Sequence, residues 1–242
     1  MAGATVLPAV PQAADKPLSV VLVHGAFVDA SGWRNVYDRL TKDGYEVLVV
    51  QNPTITLKDD VVATEHAIAA AKYPVILVGH SYGGSVITEA GNDPKVRSLV
   101  YLAAFAPDAG ESVAKLAEKK VPGEASAPLL PPKDGFLIVD PGKFAAAFAA
   151  DVDTGTTAFL ATAQVPWGLK AVGGIVTQAA WKSKPSYFMV TTHDLMVPPT
   201  AQRVMAKRAG GKVQEIASSH AVMLSHPDEV VAFIEGADGS SR

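Results

Sequence analysis

Residues 75–84 read Val-Ile-Leu-Val-Gly-His-Ser-Tyr-Gly-Gly, an apolar run that passes straight into Gly79-x-Ser81-x-Gly83. An aliphatic run with no polar alternation predicts a parallel strand buried on both faces. The glycines then demand a sharp strand-to-helix turn, because a Cβ at either would collide with the neighbouring strand or helix. In such a turn the serine backbone is strained and its hydroxyl is lifted clear of the sheet. One decapeptide thus constrains both the architecture and the chemistry.

The flanking sequence keeps the same rhythm. Residues 18–23 and 45–50 read as strands, 31–42 and 57–72 as helices, and 74–78 as the strand feeding the turn. Helix resumes over 82–90 and strand over 96–104. Strand–helix alternation of this kind gives an α/β fold, a mostly parallel sheet with helices on both sides. Between residues 107 and 184 the pattern breaks into an Ala-, Pro- and Gly-rich stretch with helical patches at 112–119 and 143–150 and no convincing strand. That is too long for a simple crossover and reads as a helical cap inserted over the site. Strands over 186–191 and 212–216, with helices over 199–209 and 227–235, complete the sheet. The expected organisation is a core of residues 18–106 and 185–236, a cap of 107–184, a leader of 1–17 and a disordered tail of 237–242.

Composition removes several classes of function. The net charge is −3 with no basic run, which argues against nucleic acid as a partner. No apolar stretch reaches the length of a membrane span. With no cysteine there is no disulfide, thiolate metal site or cysteine nucleophile. No histidine–carboxylate cluster has ligand spacing, so neither metal nor cofactor is expected. The Ala- and Pro-rich leader is either a signal-peptide remnant, implying a periplasmic or secreted protein, or a plain disordered leader on a cytoplasmic one. Oligomeric state is not legible.

A serine hydroxyl needs a base within hydrogen-bond reach. His220, four residues past the last strand, stands where the base should come; His24 and His80 belong to the glycine motifs and shape turns, and His66 and His226 read as solvated. Asp194 follows a strand directly and is the expected acid, with Asp108 as runner-up and Asp140, Asp151 and Asp153 in the cap disfavoured. His24-Gly25-Ala26-Phe27 follows the first strand, and Gly25 would let the backbone bend so that the Ala26 amide meets a developing oxyanion. Tyr82, directly after the serine, supplies a second amide. Phe27 and Trp167 are the expected pocket walls.

These segments resemble a known superfamily. Leu22-Val-His-Gly-Ala, Val78-Gly-His-Ser-Tyr-Gly-Gly, Tyr101-Leu-Ala-Ala-Phe-Ala-Pro-Asp, Asp194-Leu-Met-Val-Pro-Pro and Ser219-His-Ala-Val-Met-Leu-Ser-His-Pro are similar to the α/β-hydrolases. The likeness is to the branch holding plant methylesterases and hydroxynitrile lyases with their bacterial esterase-like relatives. It implies Ser81 as nucleophile, His220 as base, Asp194 as acid, and Ala26 and Tyr82 as the oxyanion hole. Lyases of that branch carry a hydroxyl residue where Gly25 stands and a lysine where Ala221 stands, so the resemblance implies hydrolysis here. The expected activity is serine carboxylesterase action on small or medium hydrophobic esters. A cyanohydrin lyase and a hydrolase-fold ligand receptor with little turnover remain the alternatives.

Overall fold

The computed structural model describes residues 17–119 and 126–239. Six strands form one parallel sheet: β1 (Ser19–Val23), β2 (Glu46–Val50), β3 (Val75–His80), β4 (Val96–Leu102), β7 (Ser186–Thr191) and β8 (Lys212–Ile216). Their spatial order is β2-β1-β3-β4-β7-β8, all neighbours parallel. β1, β3 and β7 are buried along their whole length, and the edge strands β2 and β8 are the more exposed ones. The unbroken aliphatic runs thus occupy the middle of the sheet.

Helices α1 (Arg34–Lys42), α2 (Leu57–Ala70) and α3 (Gly83–Ala90) link the first four strands, and α8 (Pro199–Ala209), α9 (Val222–Ser225) and α10 (Pro227–Glu235) surround the last two. Three of these helix starts have a local cause. Thr56 accepts the Asp59 amide at the head of α2, and prolines occupy the first turns of α8 and α10, where the missing N–H leaves no vacancy. α8 ends at Gly210, whose φ of +64° is left-handed.

The segment between β4 and β7 holds α4 (Val113–Ala117), α5 (Pro141–Phe148), α6 (Thr154–Thr162) and α7 (Leu169–Val172). Contrary to the strand-free expectation, it also contains a two-stranded antiparallel ribbon, β5 (Phe136–Leu137) against β6 (Trp167–Gly168). Two residues per strand are too few for any periodicity to register. Gly168 comes so close to the β2–α2 loop that an added Cβ would lie 2.5 Å from the Ile55 carbonyl oxygen. Its amide donates to the Thr54 carbonyl at 2.8 Å.

The leader expected at 1–17 lies outside the described residues apart from Pro17, as does the tail beyond 239. Ala237 is buried and its carbonyl accepts the Ser98 hydroxyl, so ordered packing continues past residue 236.

The elbow region leaves no room. A Cβ on Gly84 would sit 2.2 Å from the Phe105 carbonyl oxygen, and one on Gly83 would sit 2.6 Å from that of Val23. Both obstacles are backbone, which cannot rotate aside. Gly84→Ala is therefore expected to cost about 1–3 kcal/mol of unfolding free energy, read from urea denaturation midpoints. A parental midpoint would mean that α3 slides freely over β4.

Candidate active site

Ser81 directly follows β3 with φ +55°, a left-handed backbone that costs an L-residue about 1–2 kcal/mol. Its amide donates to the Leu102 carbonyl at 3.1 Å, and its carbonyl accepts from Gly84 at 3.0 Å and Phe105 at 3.1 Å. The turn is therefore stitched to the end of β4, where Ala103 is also left-handed (φ +49°). Ser81 as a residue is 7% exposed and so nearly enclosed.

His220 reaches this corner from the loop after β8. Its Nδ1 donates to Asp194 Oδ2 at 2.7 Å, and both side chains are buried. That bond puts the proton on Nδ1 and leaves Nε2 as an acceptor. Nε2 is buried and makes no hydrogen bond to any described residue, Ser81 included. The neighbouring His80 locates the ring: its Nε2 donates to the His220 carbonyl at 2.9 Å, and the two imidazole centroids are 4.7 Å apart. Burial first, and then the nearby His220, holds the His80 pKa well below its ordinary value. A neutral His80 bearing its proton on Nε2 thus braces the backbone of its neighbour.

Asp194 is saturated with donors. Oδ1 accepts the Met196 and Val197 amides at 2.8 and 2.9 Å, and Oδ2 accepts Thr191 Oγ1 at 2.9 Å and Gln202 Nε2 at 3.0 Å besides His220. A buried carboxylate is tolerable only when paired and hydrogen-bonded in this way. Asp108, the runner-up, instead pairs with Lys182. Asp140 and Asp153 cap α5 and α6.

The loop after β1 lies against the elbow. Gly25 is needed for space rather than for bending: a Cβ there would stand 2.7 Å from Ser81 Cβ and 2.9 Å from the His80 carbonyl oxygen. The left-handed residue of this loop is Phe27, at φ +67°. His24 holds the loop, accepting the Asn52 amide on Nε2 at 2.9 Å and donating from Nδ1 to the Gly25 carbonyl at 2.8 Å. Ala26 and Tyr82 are both buried. The rings of Phe27 and Trp167 meet edge to face at 5.7 Å, and the Trp167 ring lies 5.2 Å from that of Tyr82.

The cap supplies contacts that the sequence reading missed. Phe148 sets its ring edge-on to His220 at 4.8 Å. Asp151 accepts both the amide (3.0 Å) and the hydroxyl of Ser219. It also lies 3.7 Å from His226, which is partly buried and not simply solvated. His66 is exposed, as expected. A cavity of about 300 Å³ lies between α8 and the cap, lined among others by Phe105, Leu129, Met196, Val204 and Met205. Neither Ser81 nor His220 lines it, yet Phe105 hydrogen-bonds Ser81 and Met196 hydrogen-bonds Asp194.

Serine, aspartate and histidine, in that chain order at the carboxyl ends of parallel strands, coincide with a family model of matching extent. The model described as "Alpha/beta hydrolase family" matches residues 20–233. The chain belongs to the alpha/beta hydrolase family. Among its relatives in this family, it is 27% identical over 245 residues to "Alpha/beta hydrolase nvfD" of Aspergillus novofumigatus, covering 92% of this chain and 97% of that protein. It is 40% identical to a carbendazim hydrolyzing esterase of Nocardioides sp., over 121 residues that make up 44% of this chain and 50% of the other. The crystal structure of polyneuridine aldehyde esterase superposes with a TM-score of 0.77 at 20% identity, over 91% of this chain and 99% of that one, a likeness of fold.

One further acid stands behind the elbow. The Tyr82 hydroxyl donates to Asp60 Oδ2, and Asp60 Oδ1 accepts the Thr54 amide at 2.7 Å. Burial pushes the Asp60 pKa up to about 6, against the lowering effect of those two donors. Between about pH 4, where an unfolded aspartate ionises, and about 6, the native state holds a proton that the unfolded chain has lost. This contribution to stability is complete below the unfolded value and disappears as pH rises through the folded one. Asp60→Asn removes the titration, so the parent should lose stability relative to this variant between pH 4 and pH 7. Denaturant midpoints across that range measure it, and a constant difference would show that the carboxyl does not titrate there.

Proposed function

We propose that the chain is a serine carboxylesterase acting on small or medium hydrophobic esters. The reading is carried by the buried, unpartnered Nε2 of His220, held by Asp194 on its far nitrogen, in a ring packed on His80, the residue before the strained Ser81. An imidazole in that tautomer can accept the serine proton without first shedding one of its own. A direct Ser81–His220 bond is not required beforehand, since such bonds often tighten only when substrate is bound.

Ser81 Oγ attacks the ester carbonyl as His220 Nε2 takes its proton. The amides of Ala26 and Tyr82 receive the charge that develops on the carbonyl oxygen. Asp194 stabilises the imidazolium, which then protonates the departing alcohol. Water enters, His220 removes its proton as the oxygen bonds the acyl carbon, and the imidazolium returns that proton to Ser81 Oγ as the second tetrahedral species collapses and frees the acid. The esterase names of the Nocardioides and polyneuridine aldehyde proteins support the same class of reaction. The apolar cavity behind Phe105 and Met196 suits a hydrophobic acyl or alkoxy group.

A panel of p-nitrophenyl esters of rising acyl length tests this reading. Ser81→Ala should lose at least about 10³-fold in kcat/KM, and parental rates would remove Ser81 from the reaction. Asp194→Asn should lose about 10⁴-fold in kcat, whereas Asp108→Asn stays near the parent; the reverse order would move the acid to Asp108. On the same panel, Leu129→Trp, which fills the cavity, should lower kcat/KM for the octanoate about tenfold and spare the acetate. Equal effects on both would place the acyl chain elsewhere.

A further inference from the structure

Asp60 is an unusual residue to find where it is. It lies on the core-facing side of α2 with Leu57, Val61, Thr64 and Ile68, and it is fully buried. An apolar residue of similar size would remove the cost of burying a carboxyl group. Serving the helix dipole does not account for it, because Asp59 in the same turn does so from the surface and reinforces the Thr56 cap. Both oxygens of Asp60 are spent outside its own helix, one on Tyr82 and one on Thr54.

Those two partners lead to the two segments that flank Ser81. Tyr82 is the residue whose amide would face the oxyanion. Thr54 is left-handed (φ +53°), a conformation its bond to Asp60 helps to hold. It grips the cap ribbon at two points: its hydroxyl donates to the Pro166 carbonyl at 3.0 Å, and its carbonyl accepts the Gly168 amide at 2.8 Å. Between those points sits Trp167, packed on the Tyr82 ring and on Phe27, the neighbour of Ala26. From one carboxyl group, a direct bond reaches one amide-bearing residue, and a short chain of contacts reaches the segment that carries the other.

We propose that Asp60 is a positioning residue for the oxyanion site, fixing Tyr82 directly and the Ala26–Phe27 turn through Thr54 and Trp167. The inference rests on the reading of the Ala26 and Tyr82 amides given above. An amide donor aimed at developing charge acts mainly in the transition state, so its misalignment lowers kcat and leaves KM nearly unchanged. A loss of fold stability alone would lower Vmax through the amount of active enzyme but leave kcat per titrated site at the parental value.

The test measures kcat and KM separately for p-nitrophenyl butyrate, with folded enzyme counted by active-site titration. Asp60→Leu should lower kcat about 10–100-fold with KM within about threefold. Asp60→Asn, which can still accept the Thr54 amide and meet the Tyr82 hydroxyl, should recover most of that loss. Tyr82→Phe should repeat the kcat loss, and the double variant should be no worse than the poorer single one. Parental kcat in Tyr82→Phe overturns the proposal, and that variant carries the test alone if Asp60→Leu does not fold. A loss confined to KM overturns it equally. Ser81→Ala separates the two levels: full activity there removes the esterase reading itself. An inactive Ser81→Ala beside fully active Asp60→Leu and Tyr82→Phe removes only the role of Asp60.

Discussion

The backbone of Ser81 is strained, and three hydrogen bonds hold it so. Left-handed geometry at a non-glycine residue costs about 1–2 kcal/mol, and each backbone bond returns about 1 kcal/mol net. The three bonds to Leu102, Gly84 and Phe105 therefore outweigh the strain, but only while β3 and β4 stay in register. That dependence explains the glycines around the elbow. Gly79, Gly83 and Gly84 face backbone atoms at 2.2–2.6 Å from an added Cβ, so the bonds form only if no side chain intervenes. The sheet and the reactive turn are one structural unit, and neither could be altered without the other.

The histidine side of the site obeys a different constraint. His220 arrives on a loop, which by itself would leave the imidazole mobile. Three kinds of contact remove that freedom: the bond to Asp194, the grip of His80 on the His220 carbonyl, and the Phe148 ring against the imidazole. Asp151 adds a tether to Ser219 from the cap. The cap thus takes part in ordering the loop as well as covering it. Its hold combines hydrogen bonds to the Asp151 carboxylate with the Phe148 ring, whereas that of the core consists of hydrogen bonds within a buried network.

Sequence patterns revealed the elements whose cause is local. The aliphatic runs of β1 and β3, the buried apolar stretch of β7 and the Gly-x-Ser-x-Gly turn are visible because burial and steric exclusion act on consecutive residues. The expected bounds of β7, β8, α8 and α10 coincide with the observed ones for the same reason. Helix α6 was missed because Thr-Gly-Thr-Thr is a poor helix-forming start; the Asp153 cap and packing against α5 supply what propensity does not. Chain order brought Ser81, Asp194 and His220 into view, yet gave no hint of Phe148 or Asp151, which belong to the cap and meet His220 and Ser219 only in three dimensions. Gln202 and Asp60 did leave a trace. Each is a polar residue within the apolar stripe of its helix, beside Met205 and Ala206 in one case and Val61 and Thr64 in the other.

That trace has a general physical basis. A buried polar group without partners costs several kcal/mol, so one that persists on a core-facing stripe is held by partners elsewhere in the fold. Gln202 finds Asp194, Thr191 and the Val197 carbonyl, and Asp60 finds Tyr82 and Thr54. Both therefore end one step away from the atoms proposed to react, one behind the imidazole and one behind the amides proposed for the oxyanion. The two networks differ in what they can adjust. Gln202 carries no titratable proton and fixes its carboxylate partner in one arrangement. Asp60 can gain a proton near pH 6, and a protonated oxygen can no longer accept the Tyr82 hydroxyl as before. The support behind the amides proposed for the oxyanion is consequently the more easily loosened of the two.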